Sequence, residues 1–118
     1  MDRRIRTYLR TLRRRWGLTQ KELAFLIGAS GGDHISRLEQ LKRLPNIAAA
    51  IACIVIFDAS PYKLFPGLFK EIEESVLERA TQLYDELQGD PSESARRKLD
   101  FLEEVLKRAR ERSHDHPI

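Results

Sequence analysis

The chain has a single cysteine, Cys53, in 118 residues, so no disulfide can close within it. That thiol lies inside an apolar run and is expected to be a small core residue in a reducing compartment. No apolar run exceeds the 11 residues from Ile47 to Phe57, well short of the roughly 20 that span a bilayer. The opening MDRRIRTYLR lacks the apolar stretch of a secretory signal, so the expectation is a cytoplasmic protein with no membrane contact. No segment alternates polar and apolar with period two, which excludes a strand of any length. The three histidines are not spaced with the cysteine as zinc ligands. Phosphate-cradling glycine loops, nucleophile elbows and clustered catalytic acids are also missing. Metal, cofactor and enzymatic chemistry are therefore not expected.

Charge is plentiful, and unevenly placed. Residues 1–43 carry 11 Lys and Arg against four acids, a net charge of +7, whereas residues 44–118 carry −4. A basic front half joined to an acidic rear half suggests a polyanionic partner for the front.

The apolar pattern is helical throughout. Ile5, Tyr8, Leu9, Leu12 and Trp16 define an amphipathic first helix over about Arg3–Arg15, stopped at Gly17. Thr19-Gln-Lys-Glu22 is a capping box, and Leu23, Ala24, Leu26 and Ile27 form the inner face of a short second helix that ends at Gly28. Ser30-x-x-Asp33 repeats the start signal for a third helix, with Ile35 and Leu38 inward and Asp33, Ser36, Arg37 and Gln40 outward. Pro45 marks a fourth helix, apolar on nearly all sides and hence expected to be buried. Trp16, Phe57 and Phe65 are expected in the core. Tyr62–Phe65 reads as one last helical turn before Pro66-Gly67 breaks it.

The rear differs. Phe69, Ile72, Val76, Ala80, Leu83 and Leu87 form one long stripe; Asp90-Pro-Ser-Glu93 restarts the chain with Asp90 as cap, and Ala95, Leu99, Leu102, Leu106 and Ala109 form a second. Two amphipathic helices joined by a tight turn make an αα-hairpin, with His114–Ile118 frayed beyond it. The fold expected is all-α, with a five-helix domain over residues 1–67 and a C-terminal two-helix hairpin over 68–118. The hairpin stripes pack either in cis or against a second copy, and a homodimer supplies the symmetry that paired half-sites need.

Two short helices about a tight turn, ringed with basic residues, outline a helix-turn-helix. The third helix is narrow enough for a major groove, where Arg37 can donate two bonds to guanine O6 and N7. The start of the second helix offers free amides to phosphate, with Gln20 able to add its side-chain amide.

At these residues the chain resembles the phage-repressor-like helix-turn-helix proteins, of the Cro or xenobiotic-response-element (XRE) type. The matching residues are Leu9, Leu12, GLTQKELAFLIG (17–28), ISRLEQ (35–40), Lys42, Pro45 and ASPYKLF (59–65), so the resemblance covers about residues 4–66. It implies a five-helix fold that binds double-stranded DNA as a dimer, regulates transcription in a repressor-like way, and has no enzymatic activity or metal. It implies phosphate contacts at Thr19, Gln20, Lys21, Gln40, Lys42 and Arg43. Base-reading positions fall at Asp33 and Arg37, with Gly32, His34 and Ser36 beside them. Arg13 and Glu39 match a buried ion pair between the first and third helices. One departure is an extra residue between Gly28 and Ile35, in ASGGDH. Gly31 and Gly32 either absorb that insertion, glycine tolerating positive φ, or keep a phosphate approach clear. Asp33 either caps its helix or accepts from cytosine. The rival functional reading is an antitoxin-like or adaptor module that holds a protein partner through residues 68–118.

Overall fold

The computed structural model describes residues 7–115, and all regular structure among them is helical. The helices are α1 (Leu9–Arg15), α2 (Gln20–Ile27), α3 (Gly32–Glu39), α4 (Ile47–Phe57), α5 (Pro61–Leu64), α6 (Pro66–Leu87) and α7 (Glu93–Asp115). The chain divides into two compact units between Lys70 and Glu71. No helix among the described residues is long and apolar enough to cross a membrane.

The first unit is organised about Leu9, Leu23, Ala24, Ile35, Leu38, Cys53, Leu64 and Phe65, with Leu12, Ile27, Leu41 and Ile54 packed against them. Each of α1 to α5 contributes at least one of these residues, so the short helices gain their stability from one shared core rather than from length. The chain enters it at Thr7, whose hydroxyl accepts from the Leu9 amide at 2.9 Å, and at Tyr8, whose amide donates to the Leu64 carbonyl at 2.8 Å. Thr7 and Tyr8 lie outside α1, which begins at Leu9. The expected Arg3–Arg6 start, with Ile5 on the inner face, lies outside the described residues.

Burial departs from the helical pattern at its edges. Trp16 ends α1 as its C-cap and is 72% exposed, so it is not a core residue; Leu26 is half exposed. α4 is not buried all round. Ala49 and Cys53 face the core, while Ile47 and Val55 are 79% and 75% exposed. An all-apolar sequence cannot indicate which of its sides has a neighbour.

Starts and stops follow local chemistry. The Thr19 hydroxyl accepts from the Glu22 amide at 3.0 Å and the Glu22 carboxylate accepts from the Thr19 amide at 2.9 Å, closing the capping box. Asn46 caps α4 by accepting from the Ala49 amide at 2.8 Å, and Ser60 with Pro61 starts α5. Pro66-Gly67 does end α5, and it also begins α6: a proline at the first helical position loses only an amide that would be unpaired anyway. The cap of α7 is Ser92, whose hydroxyl accepts from the Ala95 amide at 3.1 Å. Asp90 instead accepts from the Ser92 amide at 2.9 Å, a bond that lowers its carboxyl pKa. α7 continues to Asp115, past the expected fraying point at His114.

In the second unit α6 and α7 run antiparallel. Arg112 bonds Glu73 at 2.8 Å and the Tyr84 hydroxyl donates to Glu103 at 2.7 Å, so partners advance on one helix as they recede on the other. The Glu103 carboxylate holds the Tyr84 proton and raises its pKa. Ala80, Ala95, Leu102 and Ala109 are buried, while Ile72, Val76 and Leu83 of α6 and Phe101 of α7 stay exposed.

Two glycines separate backbone from packing requirements. Gly28 ends α2 in the left-handed region (φ 86°) with no atom near an added Cβ, so Gly28→Ala meets strain alone and should cost about 1 kcal/mol. Gly32 is helical, and its Cβ would meet Gln20 Cβ at 3.5 Å, ordinary contact. Gly32→Ala should therefore gain up to about 1 kcal/mol from the more restricted unfolded chain. Urea denaturation of both variants reads the opposite signs.

Burial raises the Cys53 thiol to about 11. The folded chain thus holds this proton more tightly than the unfolded one. The resulting stability is complete below the ordinary thiol value near 9.0 and is lost as pH rises toward 11. Chemical denaturation across that interval should show the decline, and Cys53→Ala should flatten it.

Candidate nucleic-acid interface

The N-terminal ends of α2 and α3 meet in a polar groove lined by Thr19, Gln20, Lys21, Ser30, Gly31, Gly32, Asp33, His34, Arg37 and Arg43. The α2 side is set by its cap. The Thr19 hydroxyl takes the Glu22 amide, which leaves the amides of Gln20 and Lys21 at the open helix end. Gly32 packs onto that end: an added Cβ would stand 3.6 Å from the Lys21 nitrogen. A large side chain at 32 would roof over the amide, so the glycine keeps it accessible. Neither Gly31 (φ 170°) nor Gly32 has a left-handed backbone, so the insertion is absorbed without positive φ.

α3 begins after Gly31 with no side-chain cap, and Ser30 does not serve as one. The expected capping role of Asp33 is therefore absent, and its exposed carboxylate lines the groove. Arg37 follows one turn later on the same outward face, and positions four apart on a helix are surface neighbours. Ile35 and Leu38, fully buried, fix the helix rotation that turns those two outward.

The far end of α3 holds two more cations. Leu41 takes the left-handed conformation (φ 54°), its amide bonding the Leu38 carbonyl at 3.1 Å while the Lys42 amide bonds the Arg37 carbonyl at 2.9 Å. This is a Schellman stop with leucine where glycine is usual. The half-buried Leu41 side chain packs on the core, which offsets a left-handed cost of about 1–2 kcal/mol. The Arg43 amide also reaches the Arg37 carbonyl, at 3.3 Å. Lys42 and Arg43 are thus tied by backbone to the residue they flank, and only Arg43 reaches the groove.

Behind the groove lies a charged network. Arg13 Nε meets Glu39 Oε2 at 2.6 Å with side-chain exposures of 10% and 4%. Arg13 Nη1 donates to the Leu18 carbonyl at 2.8 Å, and Gln20 Nε2 donates to Glu39 Oε1 at 3.1 Å. Glu39 therefore links α1, α3 and the first residue of α2.

Of the expected site residues, the groove gathers Thr19, Gln20, Lys21, Gly32, Asp33, His34, Arg37 and Arg43. Ser36 and Gln40 lie outside it, bonded to each other at 3.1 Å from Gln40 Nε2 to Ser36 Oγ, and Lys42 is exposed beyond the turn. Gly31 also lines the groove, as does Ser30, which was not expected as a site residue. The Gln20–Glu39 bond was not expected either, since residues 19 apart on different helices leave no periodic signal. Comparison of the chain with family models, curated proteins and solved structures finds no match.

Proposed function

We propose that this protein is a sequence-specific double-stranded DNA-binding regulator, repressor-like and acting as a homodimer. In this reading α1 to α5 form a helix-turn-helix domain and residues 68–118 a helical hairpin for dimerisation. The observation that carries it is the groove: an open helix end on α2 and an outward Asp33–Arg37 face on α3 share one polar cleft, bordered by exposed Lys21 and Arg43. Helix amides and cations suit phosphate, and a narrow helix with a forked guanidinium suits base edges. Thr19, Gln20 and Lys21 are assigned to one phosphate, Gln40, Lys42 and Arg43 to the backbone beyond α3, and Asp33 and Arg37 to bases, with Gly32, His34 and Ser36 adjacent. The regulator acts in the cytoplasm and needs no cofactor.

The experiment is fluorescence anisotropy on a random duplex pool across a salt series, followed by sequencing of the bound fraction. Salt-sensitive binding with one enriched motif is the expected result. Absence of binding at low salt would count decisively against the proposal.

A second reading has its own observation. The exposed stripe Ile72, Val76 and Leu83 of α6 is an apolar face suited to a protein partner, as in an antitoxin or adaptor. Stoichiometric co-purification of a small protein with the full chain, lost on Leu83→Glu, would favour that reading.

A further inference from the structure

The Gln20 side chain lines the groove and is held at both ends. Its stem lies against the start of α3, where a Cβ added at Gly32 would stand 3.5 Å from Gln20 Cβ. Its head donates from Nε2 to Glu39 Oε1 at 3.1 Å. Glu39 is itself fixed. Its Oε2 accepts from Arg13 Nε at 2.6 Å and its Oε1 from Arg13 Nη2 at 3.4 Å, while Arg13 Nη1 is tied to the Leu18 carbonyl at 2.8 Å.

We propose that Arg13 and Glu39 are positioning residues for phosphate recognition. They hold the Gln20 amide so that one N–H meets the carboxylate and the second is presented to a phosphate of the duplex. The inference deepens the DNA-binding part of the reading above and rests on it.

Chemistry fixes which way the amide faces. A glutamine amide carries two N–H donors on its nitrogen and one oxygen that only accepts. An ionised carboxylate also only accepts, so it takes the nitrogen and rejects the oxygen. With its side chain 4% exposed, Glu39 has little water to bond instead. A charge-assisted bond in such surroundings is stronger than a neutral one. The reversed amide, with its oxygen against Glu39, is therefore closed off. The nitrogen keeps a second N–H, the donor type that a phosphate oxygen needs.

Holding the side chain beforehand favours binding. A free glutamine loses rotamer freedom when it meets a ligand, whereas Gln20 has lost that freedom on folding. Arg13 contributes again by neutralising Glu39, whose lone negative charge would repel the phosphate. Because the pair is one cation and one anion, removing both leaves the net charge unchanged. The exposed cations that set the salt dependence are then untouched.

Anisotropy on the full chain, with the enriched duplex and a scrambled one across a salt series, tests this. Gln20→Ala should weaken both duplexes about five- to 30-fold. Arg13→Met with Glu39→Leu should reproduce that loss within about threefold at unchanged salt slope, and adding Gln20→Ala to it should cost less than about twofold more. Arg13→Met with Glu39→Gln keeps an acceptor oxygen and should bind at least about threefold more tightly than the Glu39→Leu pair. A merely structural role would instead make the losses multiply. Multiplying losses overturn the proposal, as does an Arg13→Met/Glu39→Leu chain or a Gln20→Ala chain that binds within about twofold of wild type. Each of these leaves DNA binding standing, whereas a wild type without salt-sensitive binding overturns the reading beneath it as well. Should the double variants fail to fold, NMR of the wild-type Gln20 side-chain amide decides, its signals assigned by their loss in Gln20→Ala. One Nε2 proton should exchange with solvent at least about tenfold more slowly than the other in the free chain, and the second should shift when duplex is added. Equal exchange of the two protons overturns the proposal.

Discussion

Glu39→Ala is expected to destabilise the first unit by about 3–5 kcal/mol, the cost of stranding a buried charge. The Arg13 side chain, 10% exposed beside Glu39, would be left with the Leu18 carbonyl as its surviving acceptor. The Gln20 amide would also lose its acceptor, loosening the end of α2 that forms one wall of the groove. On a domain of this size each 1 kcal/mol lowers the melting temperature by about 4–8 °C, so the total shift is about 12–40 °C. Arg13→Ala should cost a similar amount, because Glu39 at 4% exposure is then the unpaired partner.

The double substitution Arg13→Met with Glu39→Leu discriminates mechanism. If the pair contributes net attraction, removing both partners should cost nearly as much as removing one. If the penalty is the desolvated survivor, the double variant should recover most of the stability, since apolar residues of similar volume fill the site without a charge. The second outcome is expected. Urea denaturation of the wild type, Arg13→Met, Glu39→Leu and the double variant closes the cycle, and a double variant no more stable than either single would refute this account.

How much of this was legible from residues alone depends on whether the cause is local. The Thr19–Glu22 capping box spans four residues and forms where its pattern stands. Leu9, Leu23, Ile35 and Leu38 carry helical spacing inside short amphipathic segments and are all buried. The failures arise where two local patterns compete or where a neighbour decides. Asp90 and Ser92 both qualify as a start. Ser92 prevails because its hydroxyl caps the Ala95 amide and its carbonyl accepts from the Arg96 amide at 3.1 Å. Ser30 and Asp33 have cap spacing, yet Gly31 precedes the first helical residue, so Ser30 lies one position too early. Trp16 continues the α1 spacing, but the helix stops beneath it. Ile47 and Val55 illustrate the neighbour problem: periodicity requires a contrast between faces, and α4 has none in its sequence. The site divides the same way. The outward pair Asp33 and Arg37 follows from the α3 pattern, whereas the Glu39 bridge to Gln20 needs the third dimension.

The proposed contact residues should separate by what they read. Arg37→Ala is expected to weaken binding to the selected duplex by about 1–3 kcal/mol, about five- to 150-fold, with a much smaller loss on scrambled DNA. Lys42→Ala and Arg43→Ala should weaken both duplexes alike, each reducing the slope of log affinity against log salt by about one, as expected if each neutralises one phosphate as proposed. Asp33→Asn is expected to go the other way on scrambled DNA. Its carboxylate is exposed in the cleft and caps no amide, so its removal costs little stability and relieves repulsion from the phosphates. On the selected duplex that gain should be offset wherever Asp33 accepts from cytosine, so the ratio of specific to scrambled affinity falls. Anisotropy titrations at three salt concentrations on two duplexes measure every one of these terms. If Arg37→Ala instead lowered affinity for both duplexes equally and shortened the salt slope, Arg37 would be a phosphate contact. Base readout would then have to come from Asp33 and His34, the remaining side chains of α3 that line the cleft.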